Sequence, residues 1–182
     1  MSIVQETRPE SSEFVSAFGR YVSLVPDGDI LETLSRQNGD VKDLLSGLSD
    51  EKASYSYASA KWNVKEVVNH FTDAERVFAY RALSIARGDA QPLPGFDENV
   101  YAANAGVAGA KLSDILEEFD AVRRAGIVFF RLLPESAWNA SGVANKAEIS
   151  VRALAWVTAG HVAHHLEVLK TRYLSVGSAP AP

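Results

Sequence analysis

Apolar side chains recur at intervals of three and four residues along most of this chain, and this spacing constrains the fold more than any other feature. Residues spaced in this way share one face of an α-helix, whereas a half-buried strand alternates every two residues. Four long segments show the helical spacing, and we find no sustained two-residue alternation. The sequence therefore predicts an all-α fold.

Capping residues and helix breakers set the limits of these helices. Asn63 followed by Glu66 forms an Asn variant of the capping box, so the second helix is expected to begin at the next residue, Val64. Ser113 and Ser150 are the expected N-caps of the third and fourth helices. The four predicted helices lie at about 28–48, 64–87, 114–134 and 151–174.

Four long helices in one chain predict a four-helix bundle. With 182 residues the chain can form one well-buried core, so we expect one domain. We divide it into an N-terminal extension with a short amphipathic helix at 1–27, the bundle at 28–174 and a disordered tail at 175–182. The loop at 89–111 is long for a compact domain, and such loops are more often functional than idle.

Composition excludes several classes of function. The net charge is -5 and the 18 basic residues are scattered, so no nucleic-acid surface is expected. No apolar run is long enough for a membrane helix, and residues 1–10 contain acidic side chains and lack the apolar core of a secretory signal, so the cytoplasm is the expected location. There is no cysteine, so any transition metal must be held by nitrogen and oxygen.

Three of the four histidines lie together in the segment GHVAHHLEVLK, residues 160–170. His161 and His165 fall on the inward apolar stripe of the fourth helix, and His164 falls on its flank. His70 occupies an inward position on the second helix. An inward histidine is often only a core residue with a hydrogen-bonded ring, and for His70 alone that reading is the stronger one.

The cluster favours a metal site over separate core histidines. Two neutral imidazoles on one apolar stripe each need a partner, and HxxxH on a helix is a known two-ligand spacing. The sequence therefore predicts His70, His161 and His165 as ligands of one divalent transition metal, which could be zinc, nickel, iron or manganese. Three protein ligands leave a position open for water or substrate. No glutamate lies inside the motif, so the HExxH peptidase arrangement is absent.

Several other polar residues could line a pocket near these histidines. Arg81 lies beyond His70 on the second helix, where its cation could meet an anionic substrate or simply pair with Glu75, Asp97 or Glu98. The remaining candidates, for second-sphere contacts, proton transfer or substrate binding, are Asp73, Asp97, Glu98, Tyr101 and His164. Their alternative is a structural role at the surface or in the loop. Trp62 and Trp156 are expected to be packing residues.

Two segments resemble one known family. They are KWNVKEVVNHFTDAERVFAYRALSIARGDAQPLPGFDENVYAANAG and SVRALAWVTAGHVAHHLEVLKTRYL, and they are similar to the DinB-like superfamily, which includes the YfiT-like metal-dependent hydrolases. The similarity covers roughly residues 28–174. It implies an up-down-down-up four-helix bundle, frequently dimeric, with a divalent metal on His70, His161 and His165. His164 matches an extra histidine that is not a usual ligand.

The resemblance also suggests the chemistry. Characterised relatives include low-molecular-weight thiol S-transferases and a mycothiol-dependent isomerase. We therefore expect an enzyme, cytoplasmic and homodimeric, whose metal activates a thiol cosubstrate or water toward a small-molecule substrate. The alternative is a non-catalytic, stress-associated dimeric protein in which the metal stabilises the bundle.

Overall fold

The computed structural model describes residues 7–175, and this part of the chain is mainly helical. Four long helices dominate it, which confirms the predicted all-α four-helix bundle. They are α1 (Ile30–Leu45), α2 (Val64–Ala86), α3 (Leu112–Arg131) and α4 (Val151–Val168). A π-helical stretch, Leu169–Leu174, extends α4. The predicted disordered tail, apart from Ser175, lies outside the described residues.

Shorter elements connect and flank the four helices. The short α-helical ranges are Gly19–Val22, Asp50–Ala53, Glu98–Asn104 and Glu135–Trp138. The 3-10 turns are Ser11–Glu13, Ser16–Phe18 and Val107–Gly109. The short N-terminal helix expected in 1–27 is therefore two 3-10 turns and one four-residue helix. The 89–111 loop likewise carries a helix of its own. No helix among residues 7–175 is long and apolar enough to span a membrane.

The directions of the helices follow from contacts between them. Asn38 and Leu34 of α1 meet Asp120 and Arg123 of α3, respectively, so these two helices are antiparallel. The ring pair Phe71–Phe119 and the ion pair Glu75–Arg123 show that α2 and α3 are parallel. Helices α2 and α4 are antiparallel, because His70 meets His161 while the preceding Trp62 accepts a hydrogen bond from the later Tyr173. The chain order is thus up, down, down, up.

A buried polar network crosses the bundle between α1, α2, α3 and α4. The Arg123 guanidinium is fully buried and forms a bidentate ion pair with Glu75, with N–O distances of 2.8 and 2.9 Å. Arg123 also donates to the Gln37 side chain, and Gln37 Nε2 donates to the Ala159 carbonyl at 2.8 Å. This network fixes the backbone of α4 two residues before His161.

The capping predictions had different outcomes. The capping box of Asn63 and Glu66 is present, and the Ser150 hydroxyl accepts from the Ala153 amide at the start of α4. The prediction for Ser113 was wrong, because α3 begins one residue before it, at Leu112. The Leu112 amide donates to the Asp50 carboxylate at 2.8 Å, so a residue distant in sequence satisfies the helix terminus.

A β-hairpin lies where only a short connection was expected. Strands β1 (Ser141–Ala144) and β2 (Ala147–Ser150) are antiparallel and joined by Asn145 and Lys146. Both of these residues have positive φ, 51° and 67°, as a two-residue type I′ turn requires. Leu93 bonds to the hairpin at Val143 and Asn145, so the hairpin holds the 89–111 segment against the end of α2.

The N-terminal segment packs directly on α4. Its helix Gly19–Val22 contacts α4, where Gly160 has no side chain to obstruct it. Arg8 secures the same segment by donating to the Val25 carbonyl at 2.7 Å, and its guanidinium lies 4.9 Å above the Trp156 ring. The N-terminal segment thereby forms part of the wall around His161.

Candidate metal centre

Three histidines converge between α2 and α4. The Nε2 atom of His161 lies 3.2 Å from Nε2 of His70 and 3.2 Å from Nε2 of His165. One ligand atom from each ring lies within 4.8 Å of the others. His70 and His161 are each 6% exposed and His165 is half-buried. The structure brings together the three histidines that the helical spacing selected.

Burial keeps these imidazoles neutral. It lowers the pKa of His161 well below 6.5, and the neighbouring His165 and His70 charges lower it further. Burial likewise lowers the pKa of His165 to about 3. The pKa of His70 is also lowered by burial, although the nearby carboxylates of Glu98 and Asp73 oppose the shift. Neutral rings offer lone pairs, which are the form that binds metal ions.

The arrangement fits a divalent metal better than a hydrogen-bonded core. A ring nitrogen either carries a proton or offers one lone pair, so His161 Nε2 cannot form two good hydrogen bonds to its neighbours. Tetrahedral coordination at about 2.0 to 2.1 Å separates two ligand nitrogens by about 3.4 Å, close to the two observed separations of 3.2 Å. The donor set, three imidazoles and no thiolate, suits zinc, nickel, iron or manganese.

His164 does not belong to this group. Its ring is half-buried and packs edge-on against Tyr21, with 5.7 Å between ring centroids, and against His165 at 5.1 Å. The flanking position predicted from the helical spacing is therefore observed.

Aromatic rings surround the three histidines. Trp62 lies 4.7 Å from the His70 ring, and Tyr21 and Phe78 pack edge-on against His161 at 5.2 and 5.9 Å. These contacts hold the imidazoles in position and limit access of water, which strengthens electrostatic interactions at the centre. Trp62 is a packing residue, as expected, but it packs on a candidate ligand. Trp156 is fully buried.

A cleft of about 170 Å³ opens beside His70 and His161. Its walls combine phenylalanine rings with a small set of polar groups. The polar and aromatic lining residues are Phe18, Arg20, Tyr21, Phe78, Arg81, Phe96, Glu98 and Asn145. Apolar walls with a few converging polar groups are typical of small-molecule sites.

The other predicted pocket residues divide into those that reach the cleft and those that do not. Arg81 and Glu98 line it. Asp97 instead caps the helix Glu98–Asn104, accepting from the Asn99 and Val100 amides. Asp73 accepts from Asn69 and pairs with Arg76, and it reaches His70 only through its charge. Tyr101 is 46% exposed and packs on Phe96 outside the cleft.

Arg81 does not form the predicted alternative contact, an ion pair with Glu75, Asp97 or Glu98. Glu75 pairs with Arg123, and the guanidinium of Arg81 donates to the Pro94 carbonyl at 2.9 Å. Across residues 7–175 no carboxylate lies within ion-pair distance of Arg81.

Sequence reasoning missed Arg20, Tyr21 and Asn145. All three line the cleft, but they come from the N-terminal segment and the hairpin, whose positions depend on contacts with distant helices. The Asn145-Lys146 pair was the one local signal for the hairpin turn, and it lacks the glycine that makes such turns easy to recognise.

Comparisons with known proteins agree with the fold. A protein of Oceanobacillus iheyensis named "Putative metal-dependent hydrolase OB0413" is 25% identical over 142 residues, which cover 77% of this chain and 79% of that relative. The solved structure of YfiT from Bacillus subtilis, described as "a probable metal-dependent hydrolase with an unusual four-helix bundle topology", matches with a TM-score of 0.69 and 15% identity. That match covers 98% of this chain and 100% of YfiT, and at this identity it shows the fold.

The family follows from the sequence match. The sequence model of the DinB superfamily matches residues 33–169, which include α2 and α4 with all three converging histidines. Because this match spans well over half of the 182 residues, the chain belongs to the DinB superfamily.

Proposed function

We propose that this protein is an enzyme that binds one divalent transition metal ion through His70, His161 and His165 and uses it to activate a thiol cosubstrate or water. The observation that carries the proposal is the convergence of three Nε2 atoms beside an open cleft. The names of the two relatives, both of which include metal-dependent hydrolase, support the same class of chemistry.

The chain prepares the site by holding three neutral lone pairs in place. Burial disfavours protonation of all three rings, and the surrounding aromatic side chains restrict their rotation. When bound, a divalent ion with an open position lowers the pKa of a coordinated thiol or water and so supplies a nucleophile near neutral pH. Because the chain contains no cysteine, the thiol has to come from a cosubstrate.

Glu98 is the residue best positioned to accept the proton that the nucleophile loses. It lines the cleft together with His70 and His161, and its charge raises the pKa of His70 against the larger effect of burial. Asp97 is committed to capping a helix and Tyr101 lies outside the cleft. We expect Glu98→Gln to retain the metal and to lower kcat by about 10²- to 10⁴-fold, the usual contribution of a general base. Unchanged kcat would remove Glu98 from this role.

Metal binding is tested first, by elemental analysis and by titration of the metal-free protein with Zn²⁺ or Ni²⁺. Wild type should bind one ion per chain, and alanine variants of His70, His161 and His165 should each lose most of the affinity. His164→Ala is the matched control, because His164 lies on the same helix and outside the cluster. Equal metal retention in all four variants would contradict the proposed site.

Catalysis is tested with the metal-loaded protein. Thiol cosubstrates are screened against electrophiles, in parallel with ester and amide substrates for hydrolysis. Turnover that disappears in the His161→Ala variant supports an enzyme. The screen in which turnover occurs shows whether the nucleophile is a thiol or water. Metal-dependent stability without turnover in either screen supports the non-catalytic alternative, in which the ion stabilises the bundle.

We also propose that the protein forms a homodimer through the exposed apolar side chains at the end of α3. Val128 is 42% exposed and lies one helical turn before Leu132. Leu132 follows and is 75% exposed. Light scattering should give a dimer for wild type and a monomer for Leu132→Asp. A monomeric wild type would contradict the proposal.

A further inference from the structure

The cleft beside the histidines contains a buried cation that forms no ion pair with a carboxylate of residues 7–175. Arg81 is 5% exposed, and its side chain lines the same cleft as His70 and His161. Its described contacts are the hydrogen bond to the Pro94 carbonyl at 2.9 Å and the Phe96 ring, 5.9 Å from Cζ. A guanidinium has five N–H donors, so most of them have no protein acceptor among residues 7–175.

The backbone, rather than an opposite charge, holds this guanidinium in place. Pro94 follows Leu93, whose amide donates to the Val143 carbonyl of the hairpin at 2.8 Å. The Asn145 side chain lies so close to Gly95 that a Cβ there would be 2.2 Å from Asn145 Oδ1. The Pro94 carbonyl, which accepts from Arg81, is thus held in place by hairpin contacts of both neighbouring residues, Leu93 and Gly95. A buried charge is costly unless it is paired, and this one is positioned for a partner that the described chain does not supply.

The other charges of the cleft leave it electropositive. Arg20 lies at its exposed edge, with Nη2 donating to the Tyr21 hydroxyl at 2.8 Å, and Glu98 is the single carboxylate among the lining residues. Three neutral imidazoles would leave the charge of a bound divalent ion uncompensated. A neutral ligand satisfies none of this charge, whereas an anion pairs with it.

We propose that the cleft binds a small organic acid, whose carboxylate pairs with the Arg81 guanidinium. The planar fork of arginine matches a carboxylate in a bidentate geometry. The walls formed by Phe18, Phe78 and Phe96 accommodate a short apolar chain, and about 170 Å³ is well below the volume of typical drug-sized sites. A thiol or hydroxyl of the same acid would contact the metal, and this one part of the inference rests on the proposed function.

The carboxylate contact is tested without the metal. Butanoate and butanamide have nearly the same shape and differ in charge, and both are titrated into metal-free protein and followed by NMR. A charge-assisted hydrogen bond contributes enough to favour butanoate by about 10- to 100-fold. Butanoate should also shift the Arg81 Nε–H signal. Equal affinities for the two probes, or an Arg81 signal unmoved at saturation, would overturn the inference.

A charge-removing variant locates the preference. In Arg81→Met the ratio of butanoate to butanamide affinity should fall to about one, with butanamide affinity retained. Arg76→Met is the matched control, because Arg76 lies on the same helix and pairs with Asp73 and Glu118 at the surface. An unchanged ratio in Arg81→Met would overturn the assignment. If Arg81→Met does not fold, the NMR shift in wild type decides.

A second pair of probes separates this inference from the proposed function. Protein is titrated with 3-sulfanylpropanoate and 3-sulfanylpropanamide in the presence of Zn²⁺, its metal content is measured, and the acid should bind more tightly. Preference for the acid together with failure to bind metal would leave the anion site intact and refute the metal proposal. Metal binding without any preference for the acid would overturn the anion site and leave the metal proposal intact.

Discussion

Replacing Gly160 with alanine adds one methyl group where the N-terminal segment meets α4. A Cβ at this position would lie 2.0 Å from the Tyr21 carbonyl oxygen and 2.4 Å from its carbon. Because backbone atoms cannot rotate away as a flexible side chain can, the segment Gly19–Val22 must move off the helix. Overpacking of this kind costs about 1 to 3 kcal/mol.

Gly39→Ala is the matched control. Gly39 lies within α1 on the exposed surface, and a Cβ there would meet nothing within 4 Å. Alanine is favoured over glycine in a helix interior by about 0.5 to 1 kcal/mol, a gain that both variants share. The difference between the two variants therefore isolates the clash, about 1 to 3 kcal/mol. For a chain of this length that corresponds to a melting temperature about 2 to 12 °C lower for Gly160→Ala.

Urea denaturation followed by circular dichroism measures this difference in the free energy of unfolding. Metal titration gives a second measurement, because Tyr21 packs on the His161 ring and its displacement should weaken metal affinity. Gly39→Ala should leave that affinity unchanged. If Gly160→Ala stabilises the protein as much as Gly39→Ala does, the N-terminal segment does not pack on α4 as described.

Two further predictions concern stability. With metal removed, the protein should lose stability as pH falls from about 6.5 toward 3, because the unfolded chain takes up protons on His165 that the folded chain excludes. At pH 5 the loss from this one residue is about 2 kcal/mol, and equal urea midpoints at pH 7 and pH 5 would contradict it. Arg123→Met should cost about 3 to 5 kcal/mol by leaving the buried Glu75 carboxylate unpaired. The double variant with Glu75→Leu should recover much of this loss in the same assay, and no recovery would show that the remaining contacts of Arg123 matter more than the ion pair.

The sequence was sufficient for the parts of the molecule that depend on local periodicity. The capping box of Asn63 and Glu66 lies within four residues, and the inward positions of His161 and His165 follow from the helical spacing of their own segment. For this reason the four helices and the three converging histidines could all be predicted.

The remaining features depend on contacts between distant segments. Asp50 satisfies the amide of Leu112 from 62 positions away, so no local pattern could move the start of α3 ahead of Ser113. The strands of the hairpin have four residues each, too few for a two-residue alternation to be recognised. The charge of Arg81 had several possible acidic partners along the chain, and only the packing shows that Arg123 takes Glu75.

The up-down-down-up order has a consequence for how the protein is made. His70 and His161 are 91 positions apart, and α4 is the last of the four described long helices to be synthesised. A nascent chain therefore cannot present the complete set of ligands until α4 has been translated, and contacts of such long sequence separation form slowly because the intervening chain must first be closed into a loop. An ion that needs all three imidazoles would stabilise the finished bundle and none of its precursors. Capture of the proposed ion would then act as a completion step that selects correctly assembled molecules.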